Sequence, residues 1–141
     1  MRQRNMAERI LIIADDDDPN RSLSAPLEER GFEVVISESA NDSYRQLIES
    51  RFDLVIINLD RPITGVTLVK QIRSNAELNR LIVLTIAEWG SGQPTLALAQ
   101  GADAFEPKPT SADRLIGAVE KLMRPSMAMT ANASADGEVD D

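Results

Sequence analysis

The chain contains no cysteine and no histidine. Without cysteine there is no disulfide framework and no thiolate metal centre. Without histidine the commonest general base and metal ligand is gone. Long apolar runs are missing too: no stretch approaches the roughly 20 residues of a membrane-spanning helix. Met1–Arg9 is polar and lacks the apolar segment of a secretory signal. Positive charge is also short. Lys and Arg number 15 against 23 Asp and Glu, a formal net charge of -8. Such a chain repels phosphate backbones, so no nucleic acid is expected as a partner, and no membrane. Arg2, Arg4 and Arg9 read as a solubilising, flexible start. The absences together fit a cytoplasmic protein, and 141 residues suffice for one globular domain with an adequate core.

What is present is a recurrence of short apolar runs rich in β-branched residues. Arg9–Ala14 reads as a strand buried on both faces and leads into four consecutive aspartates, Asp15–Asp18. Phe32–Ile36, Asp53–Asn58, Arg80–Thr85 and the weaker Ala102–Glu106 read as further strands. Helices are expected between them. The first runs from Asp18-Pro19 to Gly31, kinked or starting late because of Pro26. Others cover Asn41–Ser50, Val66–Ser74, Pro94–Gln100 and Thr110–Met123, the last capped by Thr110 with Asp113 at the capping-box position. Strand and helix thus alternate five times. That pattern predicts an α/β fold, a doubly wound five-stranded parallel sheet of flavodoxin-like order 2-1-3-4-5, with helices on both faces. Residues 1–8 read as a flexible N-terminus, 9–124 as the domain and 125–141 as a disordered acidic tail.

Ligand sites of open parallel sheets form beyond the carboxyl ends of the strands. Here those ends gather Asp15–Asp17, Asn58-Leu59-Asp60, Thr85 and Lys108, the last between Pro107 and Pro109. Carboxylates, an amide, a hydroxyl and an ammonium would share one edge. Four aspartates after a buried strand repel one another, which favours a cation site over a solvated cap. Lys108 would offset them. Trp89, beside glycines, is either locally packed or an exposed contact.

Through Ile10–Asp16, Asp53–Gly65, Leu81–Thr85 and Gly101–Pro109 the chain resembles the receiver domain of two-component response regulators. The resemblance places Asn58, four residues before Pro62, where the family has its phosphoacceptor aspartate. It implies an acidic pair within Asp15, Asp16 and Asp17, with Asp15 and Asp16 preferred. Spacing back from Gly31 gives Ala14–Asp15 instead, and spacing from Pro19 gives Asp16–Asp17. With a backbone carbonyl at Asp60, Asp15 and Asp16 would hold Mg²⁺. Thr85 and Lys108 match the hydroxyl and lysine that engage a phosphoryl group. Phe105 matches the switching aromatic, although core packing is the plainer reading. A cis Lys108–Pro109 bond is implied as well. The pattern departs at Asn58 and in one residue fewer between Pro62 and Gly65.

An amide keeps a carbonyl oxygen that can accept from Lys108 but has no nucleophilic carboxylate. It also removes a charge from an oxygen-ligand site, so any Mg²⁺ binding is expected to be weakened. The expectation is a stand-alone pseudo-receiver: not an enzyme, acting by protein–protein contact independently of aspartyl phosphorylation. The resemblance implies docking to a histidine kinase or downstream effector through the face of helix 4, strand 5 and helix 5. Two alternatives stay open. One is a phosphorylatable receiver with Asp60 as a displaced acceptor. The other is a flavodoxin-like ligand-binding domain, disfavoured because aspartates stand where a phosphate-binding loop would be.

Overall fold

The apolar runs are buried because helices cover both sides of the sheet they form. The computed structural model describes residues 7–14, 19–59, 62–88, 90, 92–108 and 110–135. Its elements are β1 (Arg9–Ile13), a 3-10 turn (Pro19–Leu23), α1 (Ser24–Glu29), β2 (Glu33–Ser37), α2 (Ala40–Glu49) and β3 (Leu54–Asn58). Then follow α3 (Pro62–Ser74), a second 3-10 turn (Ala76–Leu78), β4 (Ile82–Glu88), α4 (Gln93–Gln100), β5 (Ala104–Lys108) and α5 (Ala112–Ala135). The strands form one parallel sheet of order β2-β1-β3-β4-β5, the flavodoxin-like order that the alternation predicts.

Successive strand residues point to opposite faces, and the core divides accordingly. On one face Leu11, Val55, Ile57 and Val83 meet Leu47 of α2, Leu68, Val69 and Ile72 of α3, and Ala97 of α4. On the other, Ile10, Ile12, Ile56, Leu84 and Ile86 meet Leu27 of α1 and Leu115, Ile116 and Val119 of α5. Each fully buried Ile or Leu contributes about 1.5–3 kcal/mol. An exposed ion pair contributes about 0–1 kcal/mol, so these two layers hold the fold. None of the described helices is long and apolar enough to cross a membrane.

At the amino edge of the sheet, polar groups are tied down. Arg9 stacks 4.5 Å over the Phe52 ring, and its backbone N–H donates to Asp53 Oδ2 at 2.8 Å. Arg9 therefore belongs to the sheet and not to a loose basic start. Arg73, near the end of α3, donates to the carbonyls of Gly101 and Leu81, each at 2.8 Å, and of Asn79 at 3.3 Å. It also pairs with Asp103 Oδ2 at 2.7 Å, the oxygen that accepts from the Val83 N–H at 2.7 Å. Gly101 has a φ of +117°, and a Cβ there would come 2.5 Å from Arg73 Cγ.

Several element bounds differ from those expected. The α-helix near Pro26 starts late, as foreseen: a 3-10 turn precedes it and Pro26 falls in the first turn of α1, where its missing N–H does least harm. β4 runs to Glu88, three residues beyond Thr85, and β5 to Lys108, two beyond Glu106. α3 begins at Pro62 rather than Val66. Ser111, not Thr110, caps α5: its Oγ accepts from the Arg114 N–H at 3.1 Å. α5 also continues to Ala135. Residues 125–135, expected to lack structure, are therefore helical, in keeping with the strong helix propensity of their alanines and methionines. Residues 136–141, residues 1–6 and Trp89 lie outside the described residues.

Candidate functional site

Parallel pairing brings every strand's carboxyl end to one edge. β3 buries Leu54–Ile57 and ends at half-buried Asn58. Leu59 then turns into the core, fully buried, with its N–H bonded to Ile86 O at 2.8 Å. α3 opens beside this turn. A Cβ on Gly65 would sit 3.0 Å from Leu59 Cδ2 and 3.3 Å from Asn58 O. Glycine thus lets the helix pack close against the backbone of Asn58.

The pairing register decides which side chains can share a site. Ile57 is level with Thr85, and Thr85 with Phe105. Asn58 is level with Ile86, and Ile86 with Glu106. By alternation, Asn58 lies on the face of Ile56 and Ile86, under α1 and α5. Thr85 lies on the opposite face with Ile57 and Phe105. Its side chain is fully buried, and Oγ1 donates to Ala104 O at 2.9 Å. This corrects the assignment of Thr85 as a phosphoryl contact. Because β4 extends to Glu88, Thr85 is an interior strand residue on the wrong face. The residue beside Asn58 is Ile86, fully buried and without a hydroxyl.

β1 delivers a second surprise. Its register runs from Ile10 opposite Leu54 to Ile13 opposite Ile57. The Ala14 N–H bonds Ser37 O at 2.8 Å, continuing the strand by a residue. Ala14 therefore falls beside Asn58 and packs in the same cluster as Ile86, 2% exposed. Of the three spacings open for the acidic pair, this register supports Ala14–Asp15. Asp15, Asp16, Asp17 and Asp60 themselves lie outside the described residues, as does Pro109 and with it the expected cis bond.

Lys108 ends β5, half-buried and level with Glu88. Alternation puts it on the face of Ala104, hence of Asn58, two strands or about 10 Å across the sheet. The edge thus brings Asn58 and Lys108 to one face and leaves Thr85 and Phe105 on the other. Phe105 is half-buried against the α2–α4 core, which agrees with its packing role.

Further polar groups cluster where β2 ends. Ser39 Oγ caps α2 by accepting from the Asp42 N–H at 3.1 Å. Buried Ser43 donates to Ser39 O at 2.6 Å, and its Oγ lies 2.9 Å from Ser37 Oγ. Ser37 in turn donates to Asp42 Oδ2 at 3.0 Å. Arg45, then Gln46 and Ser37, hold the Asp42 carboxyl below its ordinary pKa. Arg21, unremarked in the sequence, donates from Nη1 to Ala14 O at 3.1 Å and lies 3.9 Å from Glu38 Oε2. A cation three residues after an aspartate run was the available signal.

Mg²⁺ requires hard oxygen ligands, usually with one or two carboxylates. Among the described residues, Asn58 and its two neighbours offer one amide oxygen between a methyl group and an isoleucine, the Glu106 carboxylate of the same row starts two strands away, and an arginine occupies the Ala14 carbonyl. That set fits a divalent cation poorly. The three adjacent positions Ala14, Asn58 and Ile86 hold no carboxylate to accept a phosphoryl group and no hydroxyl to steady one; Glu106 stands one strand further on.

A flavodoxin-like sheet with polar residues at the carboxyl edge is an architecture that signalling receivers share with other domains. The chain belongs to the response regulator receiver domain family, whose model it matches over residues 10–120. It is 28% identical over 120 residues to response regulator MprA of Mycolicibacterium vanbaalenii, covering 84% of this chain and 52% of that protein. It is 25% identical over 132 residues to transcriptional regulatory protein DltR of Streptococcus agalactiae, covering 93% and 58%. The chain thus spans little more than half the length of these relatives. A CheY-like receiver domain from Methanospirillum hungatei superposes with a TM-score of 0.78 at 22% identity, covering 88% of this chain and 99% of that one.

Proposed function

We propose that this receiver acts by binding signalling proteins, without phosphorylation of an aspartate at its acceptor position. The observation that carries the reading is the row Ala14, Asn58, Ile86, adjacent on three strands. A methyl group, an amide and an isoleucine supply no nucleophile and little affinity for metal, while the surrounding fold is kept. The domain is then not an enzyme. It is a pseudo-receiver whose signalling surface is set by packing.

The face of α4, β5 and the first half of α5 is the proposed contact surface. Leu96 and Leu98 of α4 are 52% and 46% exposed, whereas most large apolar side chains are buried. A histidine kinase or a downstream effector with a complementary apolar patch is the proposed partner, and the cytoplasm the proposed place of action. The net charge of -8 argues against nucleic acid as a ligand of this domain.

The test is intact mass after incubation with a small phosphodonor and Mg²⁺. The mass is expected to stay unchanged. A stable gain of one phosphoryl group overturns the reading, and its location at Asp60 would establish a displaced acceptor instead.

A further inference from the structure

At the end of the sheet opposite Asn58 lies a cavity of about 510 Å³. It opens between the last turn of α2, the residues that lead into β3 and the segment from Glu77 to Leu81. That volume is in the range of small-molecule sites. Its apolar wall is continuous with the core: Leu47 and Leu81 are buried, and Phe52 and Leu78 pack against the same cluster. Ile48 carries this wall to the surface, 49% exposed. The fold fixes the walls. Asn75 Nδ2 donates to Tyr44 Oη at 3.2 Å, and Asn75 Oδ1 accepts from the Glu77 N–H at 2.9 Å, which fastens the second 3-10 turn to α2. The Ile82 N–H bonds Asp53 O at 3.1 Å and ties the far wall to β3.

The charges around the cavity are of two kinds. Glu49 is held by Arg45 at 2.9 Å, and Asp53 by Arg51 at 2.9 Å. Glu77 and Arg80 have no ion pair and no side-chain hydrogen bond. Every other arginine whose side chain is described has a carboxylate partner. Among the described residues, the lining is thus left with one cation and one anion to satisfy, beside an apolar wall.

We infer that this cavity binds a small zwitterion with an apolar body, of the class of an amino acid with an aliphatic or aromatic side chain. The apolar body lies against Ile48, Phe52 and Leu78. The carboxylate takes the planar donor fork of Arg80, and the ammonium takes the Glu77 carboxylate. A purely anionic ligand would meet Glu77, and a purely cationic one Arg80. The site stands at the opposite edge from Asn58 and is independent of how the domain signals.

The experiment titrates the full chain with L-phenylalanine and L-leucine and follows the backbone amide signals by NMR. Saturable shifts at millimolar ligand are expected at Ile48, Phe52, Leu78 and Arg80. N-acetyl-L-phenylalanine lacks the ammonium and L-phenylalaninamide lacks the carboxylate. Each is expected to bind at least about tenfold more weakly, the worth of one charge-assisted hydrogen bond. Arg80→Gln should weaken phenylalanine by a similar factor and erase the discrimination against the amide, an effect that general loosening of the fold does not mimic. Absence of saturable shifts overturns the inference. So do equal affinities for phenylalanine and its two derivatives, or binding that Arg80→Gln leaves unchanged. Should Arg80→Gln fail to fold, the two derivatives on the unmodified chain decide. Phosphorylation, read by mass, bears on Asn58, whereas these titrations judge the cavity alone.

Discussion

The two edges of the sheet have been treated differently. At the amino edge Arg73 holds three carbonyls and a carboxylate, and Asp53 receives the Arg9 N–H. Every one of those contacts joins separate segments of the fold. At the carboxyl edge the row beside Asn58 holds Ala14 and Ile86, packed into the core beneath α1 and α5. Groups that hold the scaffold together lie at the amino edge, while Ala14, Asn58 and Ile86 offer neither a carboxylate nor a hydroxyl. Structure and reaction are therefore separable here, because they depend on residues at opposite ends of the same strands.

The sharpest way to break that contrast is to rebuild the carboxyl edge. Asn58→Asp alone is expected to stay near background in phosphodonor labelling, since Thr85 faces away and Ile86 offers no hydroxyl. Adding Ala14→Asp and Ile86→Thr should raise labelling about tenfold or more, equivalent to ~1.4 kcal/mol. Full labelling of Asn58→Asp alone would show that neither neighbour is an obstacle. At the other edge Arg73→Ala should lower the unfolding free energy by about 3 kcal/mol in urea, because it strands partly buried carbonyls and the Asp103 carboxylate. A loss below about 0.5 kcal/mol would mean that water replaces the clasp without penalty.

Smaller effects refine the picture. Gly101→Ala should cost about 1–3 kcal/mol, from its positive φ and from the intrusion on Arg73. Gly90→Ala, at φ +80° with nothing within 4 Å of the added Cβ, tests the strain alone and should cost less. Equal losses would remove Arg73 from the explanation. A chain ending at Arg124 is expected to melt within a few degrees of the full chain, since among the described side chains of α5 the fully packed ones, Leu115, Ile116 and Val119, all lie before that point. A large drop, or conversion of a dimer to a monomer, would give residues 125–141 a part in the fold or the assembly.

The least effect concerns pH. Asp42 has a folded-state pKa below its ordinary 3.8, so its contribution to stability is present above 3.8 and fades as pH falls through the folded value. Asp42→Asn should flatten the acid limb of the stability curve in that window. An unchanged acid limb would assign the loss of stability to other carboxylates.

Fold class and strand order were legible in the sequence because apolar runs alternate with amphipathic ones. Asn58 and Lys108 were placed correctly at the carboxyl edge by the ends of β3 and β5. Thr85 was not, and the reason is physical. Ile82–Ala87 is covered on both faces, so its residues carry no inside–outside alternation from which register or end point could be read. The same holds for Ile10–Ala14, which hid the fact that alanine and not aspartate stands beside Asn58. Arg21 was missed although it stands three residues after the aspartate run, because its partner is a backbone carbonyl, which a sequence does not mark.

Thr85 has one more consequence. A side chain one position out along a strand is not slightly displaced; it has changed sides of a layer. No rotamer change and no small shift of β4 can return that hydroxyl to Asn58. Sliding β4 by one residue would do so only by turning Val83 and Ala87 out of one core and Leu84 and Ile86 out of the other. A hydroxyl beside Asn58 must therefore come from a substitution at Ile86, never from a repositioned Thr85.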